Sequence, residues 1–230
     1  MDPWADCFVS SREDVSSAFP STSGKHKDVI SQFSAVRRVR GDGNCFYRAL
    51  SFAHLEFLRH KGIRSLQRFK EEIIQSEKVL ISAGFDENSF KHLLNTVVNV
   101  VEQLEADDDE EESTLLRLFN DPRTSDSMVQ YLRLLTSAHL KNHADFFCNF
   151  VEAPDLNVYR EQEVEVMAME CDHVDILALL QALNISIHIV SLEGDDEQLA
   201  HHVIPEGSEP CLHLLYQTSH YNILYPQPSL

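Results

Sequence analysis

Apolar residues recur at helical spacing through the middle of the chain. After Cys45, the positions Phe52, Leu55 and Leu58 share one face of a helix over residues 46–60. Leu66, Phe69, Ile73 and Leu80 predict a second helix. Asp86 reads as the N-cap of a third, with Phe85 and Phe90 placed as a hydrophobic staple. Its stripe continues through Leu93, Leu94, Val97, Val98, Val101 and Leu104. Ser113 caps a short helix through Phe119, stopped by Asn120-Asp121-Pro122. Met128, Val129, Leu132, Leu135 and Leu140 form another stripe, and Phe146, Phe147 and Phe150 are expected in the core. Ala153-Pro154-Asp155 breaks the chain before a helix over Val174 to Leu183.

The period changes after Asn184. Ile185, Ile187 and Ile189 alternate with Ser186, His188 and Val190, which is strand spacing. Gly194-Asp195-Asp196 and Pro205-Glu206-Gly207-Ser208 read as turns. His201 to Ile204, Cys211 to Gln217 and a last strand opening at His220 follow. Residues 1–28 lack a sustained period and are expected to be a weakly ordered N-terminal tail. From Val29 the apolar content rises, and Arg37, Arg38 and Arg40 read as solvated residues leading into Gly41-Asp42-Gly43, a turn. The pattern predicts one α+β domain over residues 29–230, a helix-rich lobe packed on a small, mostly antiparallel sheet.

Composition narrows the function. With 43% hydrophobic residues in 230, the chain can build a core and is not wholly disordered. Its formal charge of −18 would repel a phosphate backbone, so nucleic acid is not an expected partner. No apolar run has the length of a membrane span, and the first residues do not read as a secretory signal. The five cysteines are odd in number, widely spaced and without C-x-x-C, which argues against a disulfide framework or zinc ribbon. Cytoplasm is the expected address, with nuclear entry open, and the protein is expected to act as a monomer. The six acids of Asp107 to Glu112 read as a solvated loop, or else a docking site for a basic partner.

One stretch carries chemistry. Gly41-Asp42-Gly43-Asn44-Cys45-Phe46-Tyr47-Arg48 places a cysteine at a loop-to-helix junction. Unpaired backbone N–H groups and the positive end of the helix favour a thiolate there, and the same N–H groups suit an oxyanion hole. A small buried core cysteine beside a turn fits those residues too. A nucleophilic thiol needs a base and an orienter. Among twelve histidines His220 is the best placed, because Asn222 lies two residues on and shares its strand face. A strand-end histidine bonded only for structure is the competing reading. His139 and His143 sit four apart on a helix, but H-E-x-x-H and a third ligand are missing, so no metal or other cofactor is expected. His201-His202 reads as a strand edge, and Trp4 as a lone aromatic in the tail.

Taken together, Asp42 to Arg48 resembles the nucleophile motif of the ovarian-tumour-domain cysteine deubiquitinases, and His220 to Tyr225 their catalytic histidine strand. Tyr131 to Ser137, Glu170-Cys171-Asp172-His173 and Pro205 to Pro210 are similar to the otubain branch. The resemblance spans roughly residues 29–226 and implies a papain-like cysteine isopeptidase that removes ubiquitin from lysine. It implies Cys45 as nucleophile, His220 as general base and acid, Asn222 as the residue orienting His220, and Asp42 as part of the oxyanion-hole loop. Glu170 matches a position that lies near the catalytic histidine in otubains without ubiquitin, a regulatory candidate. Ubiquitin and polyubiquitin chains are the implied partners, with ubiquitin-conjugating enzymes beside them. A non-catalytic binder that sequesters ubiquitin or such an enzyme is the alternative. Otubain subgroups differ in their N-terminal arm. The 44 residues before Cys45 look like the short-armed subgroup, whereas Pro205 to Pro210 looks like the other.

Overall fold

The computed structural model describes residues 7–19, 23–107, 113–152, 154–194 and 198–228. The expectations for Trp4, Asp195-Asp196 and most of the 107–112 acidic run lie outside them. In chain order the elements are β1 (Glu13–Asp14), α1 (Val15–Ala18), α2 (Gly24–Gln32), β2 (Phe33–Arg37), α3 (Cys45–Lys61), α4 (Ile63–Ser82), α5 (Glu87–Glu105), α6 (Ser113–Asn120) and α7 (Pro122–Asn142). They continue with α8 (Ala144–Phe147), α9 (Leu156–Tyr159), α10 (His173–Leu183), β3 (Ile187–Ser191), β4 (Ala200–Ile204), β5 (Leu212–Gln217) and β6 (His220–Pro226). One sheet carries the strands in the order β1-β2-β6-β5-β3-β4. Only β3 and β5 run parallel; the other four pairings are antiparallel.

Local chemistry explains several of the helix boundaries. The Asp86 carboxylate accepts from the N–H of Asn88 and starts α5; Asp121 accepts from Thr124 and starts α7 with Pro122 in its first turn. Asp172 and Asp175 form a capping box for α10. Arg59, His60 and Lys61 sit in the last turn of α3, where they suit the negative end of the helix. Gly62, at φ 101°, then turns the chain into α4.

Helix α3 is the central beam. Every residue from Cys45 to Glu56 is buried, between the sheet and α4, α6 and α7. The main core runs from Phe46, Phe52 and Leu55 through Phe90, Phe119 and Tyr131 to Ile187, Leu214 and Ile223. A second, smaller core lies under Val190, Leu215 and Leu224, closed by Val15, Val29, Phe33 and Val36.

The described residues 7–19 and 23–28 correct the reading of 1–28 as a weakly ordered tail. Within it β1, α1 and most of α2 take up defined structure, and Phe8, Val9 and Val15 are buried. Their apolar residues are too scattered to show a period, because each finds its partner on the sheet rather than along its own segment. Strand β2 escapes sequence reading for a related reason: its register shifts between Phe33 and Ala35, which breaks the alternation. Arg37 is not solvated. Its guanidinium donates to the Ser10 carbonyl at 3.0 Å, the Tyr225 hydroxyl at 2.8 Å and the Glu56 carboxylate at 3.2 Å, and is only 3% exposed as a residue. Of the three phenylalanines expected inside, Phe147 is buried, whereas Phe146 and Phe150 are 49% and 57% exposed. Their short helical turns point them outward, with the two rings 5.2 Å apart and tilted by 45°. Asp107 pairs with Arg59 at 3.1 Å. Among the described residues no helix is long and apolar enough to cross a membrane.

Candidate active site

Cys45 is the first residue of α3, delivered by the loop 41–44. Gly43 takes φ 78° so that the loop can pass close to Ala168. The thiol is almost enclosed, at 6% exposure for the residue. Burial pushes it above the ordinary value of 9.0; the N–H groups of Tyr221 and Phe46 oppose that shift, and the Asp42 carboxylate adds to it. The helix N-terminus thus acts in the expected direction, but desolvation outweighs it. Alkylation of Cys45 by iodoacetamide in the unliganded protein is therefore expected to accelerate with pH, with its midpoint above 9, as read by rate measurements across pH 6–10.5. A midpoint near 7 would show a thiolate already formed.

His220 opens β6. Its Nε2–H donates to Asn222 Oδ1 at 3.1 Å. The same oxygen accepts from the Val39 N–H at 2.9 Å, which fixes which end of the amide faces the ring. With Nε2 protonated, Nδ1 carries the lone pair, and that nitrogen faces the cysteine loop: a Cβ on Gly41 would stand 3.5 Å from it. The N–H of Tyr221, the next residue, points at the Cys45 sulfur. These contacts bring the imidazole of β6 and the thiol of α3 against the same loop, 41–44. Among the described residues no hydrogen bond joins the two directly.

Asp42 is half-exposed and faces the loop rather than the cleft. One oxygen accepts from the Asn44 N–H at 3.0 Å; the other takes Arg48 Nη2 at 3.0 Å. Arg48 is fully buried and also bonds Ser125 and Asp126. From the other side Arg133 donates to the carbonyls of Gly43 at 3.0 Å, Met169 at 2.7 Å and Val164 at 3.1 Å, and to Asn44 Oδ1 at 2.8 Å. Glu170 lines the cleft in front of Cys45, but no hydrogen bond or ion pair links it to His220 among the described residues.

Sequence reasoning missed Arg48, Arg133 and Asn44. A signal for Arg133 exists: it is a charge inside Tyr131-Leu132-Arg133-Leu134-Leu135, where both helix faces are apolar.

Two histidine groups invite comparison with metal sites. His139 and His143 stack at 4.1 Å, yet His139 bonds Gln181 and His143 bonds the His139 carbonyl. His188 bonds His213 and His201, each at 2.9 Å, and its burial lowers it to about 4. Both ring nitrogens of His188 are thus used on other imidazoles. Among the described residues no three His, Cys, Asp or Glu side chains are arranged to hold a metal ion.

Cys45 opens onto a cleft of about 810 Å³ whose rim includes Glu163, Glu170, Asp172, His202 and Glu206. The family model for peptidase C65, otubain, matches residues 9–226. The chain belongs to the otubain family. This otubain is 48% identical over 202 residues to mouse "Ubiquitin thioesterase OTUB2", covering 87% of this chain and 85% of that one. To human "Ubiquitin thioesterase OTUB1" it is 43% identical over 203 residues, covering 87% and 74%. Its fold matches the solved complex of h/ceOTUB1 with ubiquitin aldehyde and UBCH5B~Ub, with a TM-score of 0.87, 25% identity and coverage of 96% and 91%. The family match begins at residue 9, ahead of the boundary drawn from the sequence at 29.

Proposed function

We propose that this otubain is a deubiquitinating cysteine protease, a ubiquitin thioesterase and isopeptidase, whose acyl transfer runs through Cys45, His220 and Asn222. The observation that carries the reading is the His220–Asn222 pair, with the free Nδ1 turned to the loop that presents Cys45 at the cleft. His220 Nδ1 takes the thiol proton, and the sulfur attacks the carbonyl of ubiquitin's C-terminal glycine. The carbon–nitrogen bond breaks as His220 returns the proton to the lysine amine. Water, deprotonated by His220, then attacks the thioester and releases the ubiquitin carboxylate and the free thiol. Asn222 holds the imidazole in the tautomer that leaves Nδ1 open. Asp42 acts by shaping the loop, since a carboxylate aimed at an oxyanion would repel it.

Ubiquitin and its chains are the substrates. The acidic rim of Glu163, Glu170, Asp172 and Glu206 suits the arginines of ubiquitin's C-terminal tail. Ubiquitin-conjugating enzymes are the second class of partner, supported by the likeness to solved otubain complexes that contain UBC13~Ub and UBCH5B~Ub.

The test is covalent labelling by ubiquitin with an electrophilic C-terminus, read by intact mass and peptide mapping. One ubiquitin is expected to add, and the modified peptide is expected to contain Cys45. A folded protein that gains no ubiquitin, or gains it at another cysteine, would overturn the assignment and favour the non-catalytic binder.

A further inference from the structure

The side chain of Arg133 sits beneath the active-site loop with 0% exposure of the residue, on the buried middle of α7. Burying a guanidinium is costly unless a carboxylate pairs with it. Among the described residues none does: its bonds go to four neutral oxygens. The Tyr47 ring lies 4.4 Å from its Cζ, adding a cation–π contact but no negative charge. Each of those oxygens belongs to one of two segments. Gly43 and Asn44 form the loop before Cys45. Val164 and Met169 flank the turn that carries Glu163 and Glu170 into the cleft wall.

Asn44 closes the link. It occupies the N-cap position of α3, where an asparagine ordinarily bonds the first-turn N–H groups, yet its side chain makes no cap bond. Its Oδ1 instead accepts from Arg133 and from the Ala168 N–H at 2.8 Å. Ala168 itself takes φ 65°, a left-handed conformation unusual for a residue with a Cβ, at the point where Gly43 passes its carbonyl. A cap has been given up, and a charge buried, at the same contact.

We infer that Arg133, through Asn44 and the Ala168 turn, is a positioning residue that locks the oxyanion-hole loop to the cleft wall and so sets the amides that receive the tetrahedral intermediate. The inference rests on the deubiquitinase reading above. Arg133 touches neither substrate nor sulfur; it holds the Gly43 and Asn44 peptides that do the presenting. Lysine cannot replace it, since one ammonium has three donors and no planar fork to reach both segments.

The test compares wild type, Arg133→Gln, Arg133→Lys and Asn44→Ala. Three readouts are taken on each: turnover of a ubiquitin C-terminal amide, alkylation of Cys45 by iodoacetamide, and thermal unfolding. Alkylation by a haloacetamide forms no oxyanion, so it reports the thiol and not the loop. Both arginine variants are expected to lose about 10²-fold in kcat, with KM within about 3-fold and the alkylation rate within about 2-fold of wild type. Asn44→Ala leaves the three carbonyl bonds in place and is expected to lose about 10-fold in kcat, so it tests the link even where an arginine variant folds poorly. Millimolar guanidinium added to Arg133→Gln is expected to restore part of kcat. Equal losses in turnover and alkylation, or kcat per folded molecule at the wild-type level in Asn44→Ala and Arg133→Gln, would overturn the positioning role. Wild type that cleaves no ubiquitin amide would overturn the deubiquitinase reading and this inference with it.

Discussion

His220→Ala is expected to lower kcat/KM on a ubiquitin C-terminal amide by about 10³-fold, the middle of the range for losing a positioned acid–base group. Two steps lose their proton carrier. The thiol, already held above 9.0 by burial, has no acceptor for its proton at neutral pH. The departing amine also has no donor. In the variant only thiol ionisation still limits the rate, so its kcat/KM is expected to keep rising with pH toward the raised value of the Cys45 thiol. The measurement is kcat/KM from pH 6 to 10 for both proteins. A loss under 10-fold, or a variant rate that does not rise with pH, would assign the base to another group. Folding is expected to be little changed, because His220 is only partly buried and its side chain bonds Asn222 of its own strand.

Gly43→Ala is expected to be the most damaging single methyl in the site. A Cβ there would lie 2.0 Å from the Ala168 carbonyl oxygen and 2.5 Å from its carbon, and both are backbone atoms. Neither can swing away as a side-chain tip could. The residue also sits at φ 78°, which costs an L-residue about 1 kcal/mol. Overpacking adds about 1–3 kcal/mol. Either the loop or the 165–169 turn must move, and both hang on Arg133 through the Gly43 and Met169 carbonyls. The expected result is a loss of about 10²-fold or more in kcat together with a lower Tm, by enzyme assay and calorimetry. Gly62→Ala is the control. Its φ is 101°, but nothing stands within 4 Å of its Cβ position, so it should cost strain and leave kcat unchanged. Wild-type kcat in Gly43→Ala would show that the loop tolerates displacement, and would remove the reason for the glycine.

How much of this was legible varies by element. The long helices α3, α4, α5 and α7 carry their own period, and Asp86 marks the start of α5 in the sequence; the Asn120-Asp121-Pro122 stop also holds the cap of α7, which the sequence reading did not draw. The last three strands are placed within a residue by the turn signals between them, although none of them alternates strictly. Strand β2 and the N-terminal elements were not legible, because a shifted register and scattered single apolar residues leave no period to read. Phe146 and Phe150 show the opposite failure. Hydrophobicity alone put them inside, but two short turns after α7 leave them on the surface.

For the site, the chain by itself determined which groups have the chemistry. Cys45 follows a glycine turn and opens a helix, and His220 and Asn222 share a strand face; both are local facts, fixed by spacings of one or two residues. Only the tertiary structure decided how those groups are held and tuned. The thiol's high value comes from enclosure by distant segments. The tautomer of His220 follows from the Val39 N–H that pins Asn222 across 183 residues. The Arg133 clamp joins positions 44, 133 and 168, which meet only when α7 runs beneath α3. Spacing encodes what lies within a turn or a strand pair. Desolvation and a buried charge's partners depend on which segments arrive from elsewhere, and no local pattern records their arrival.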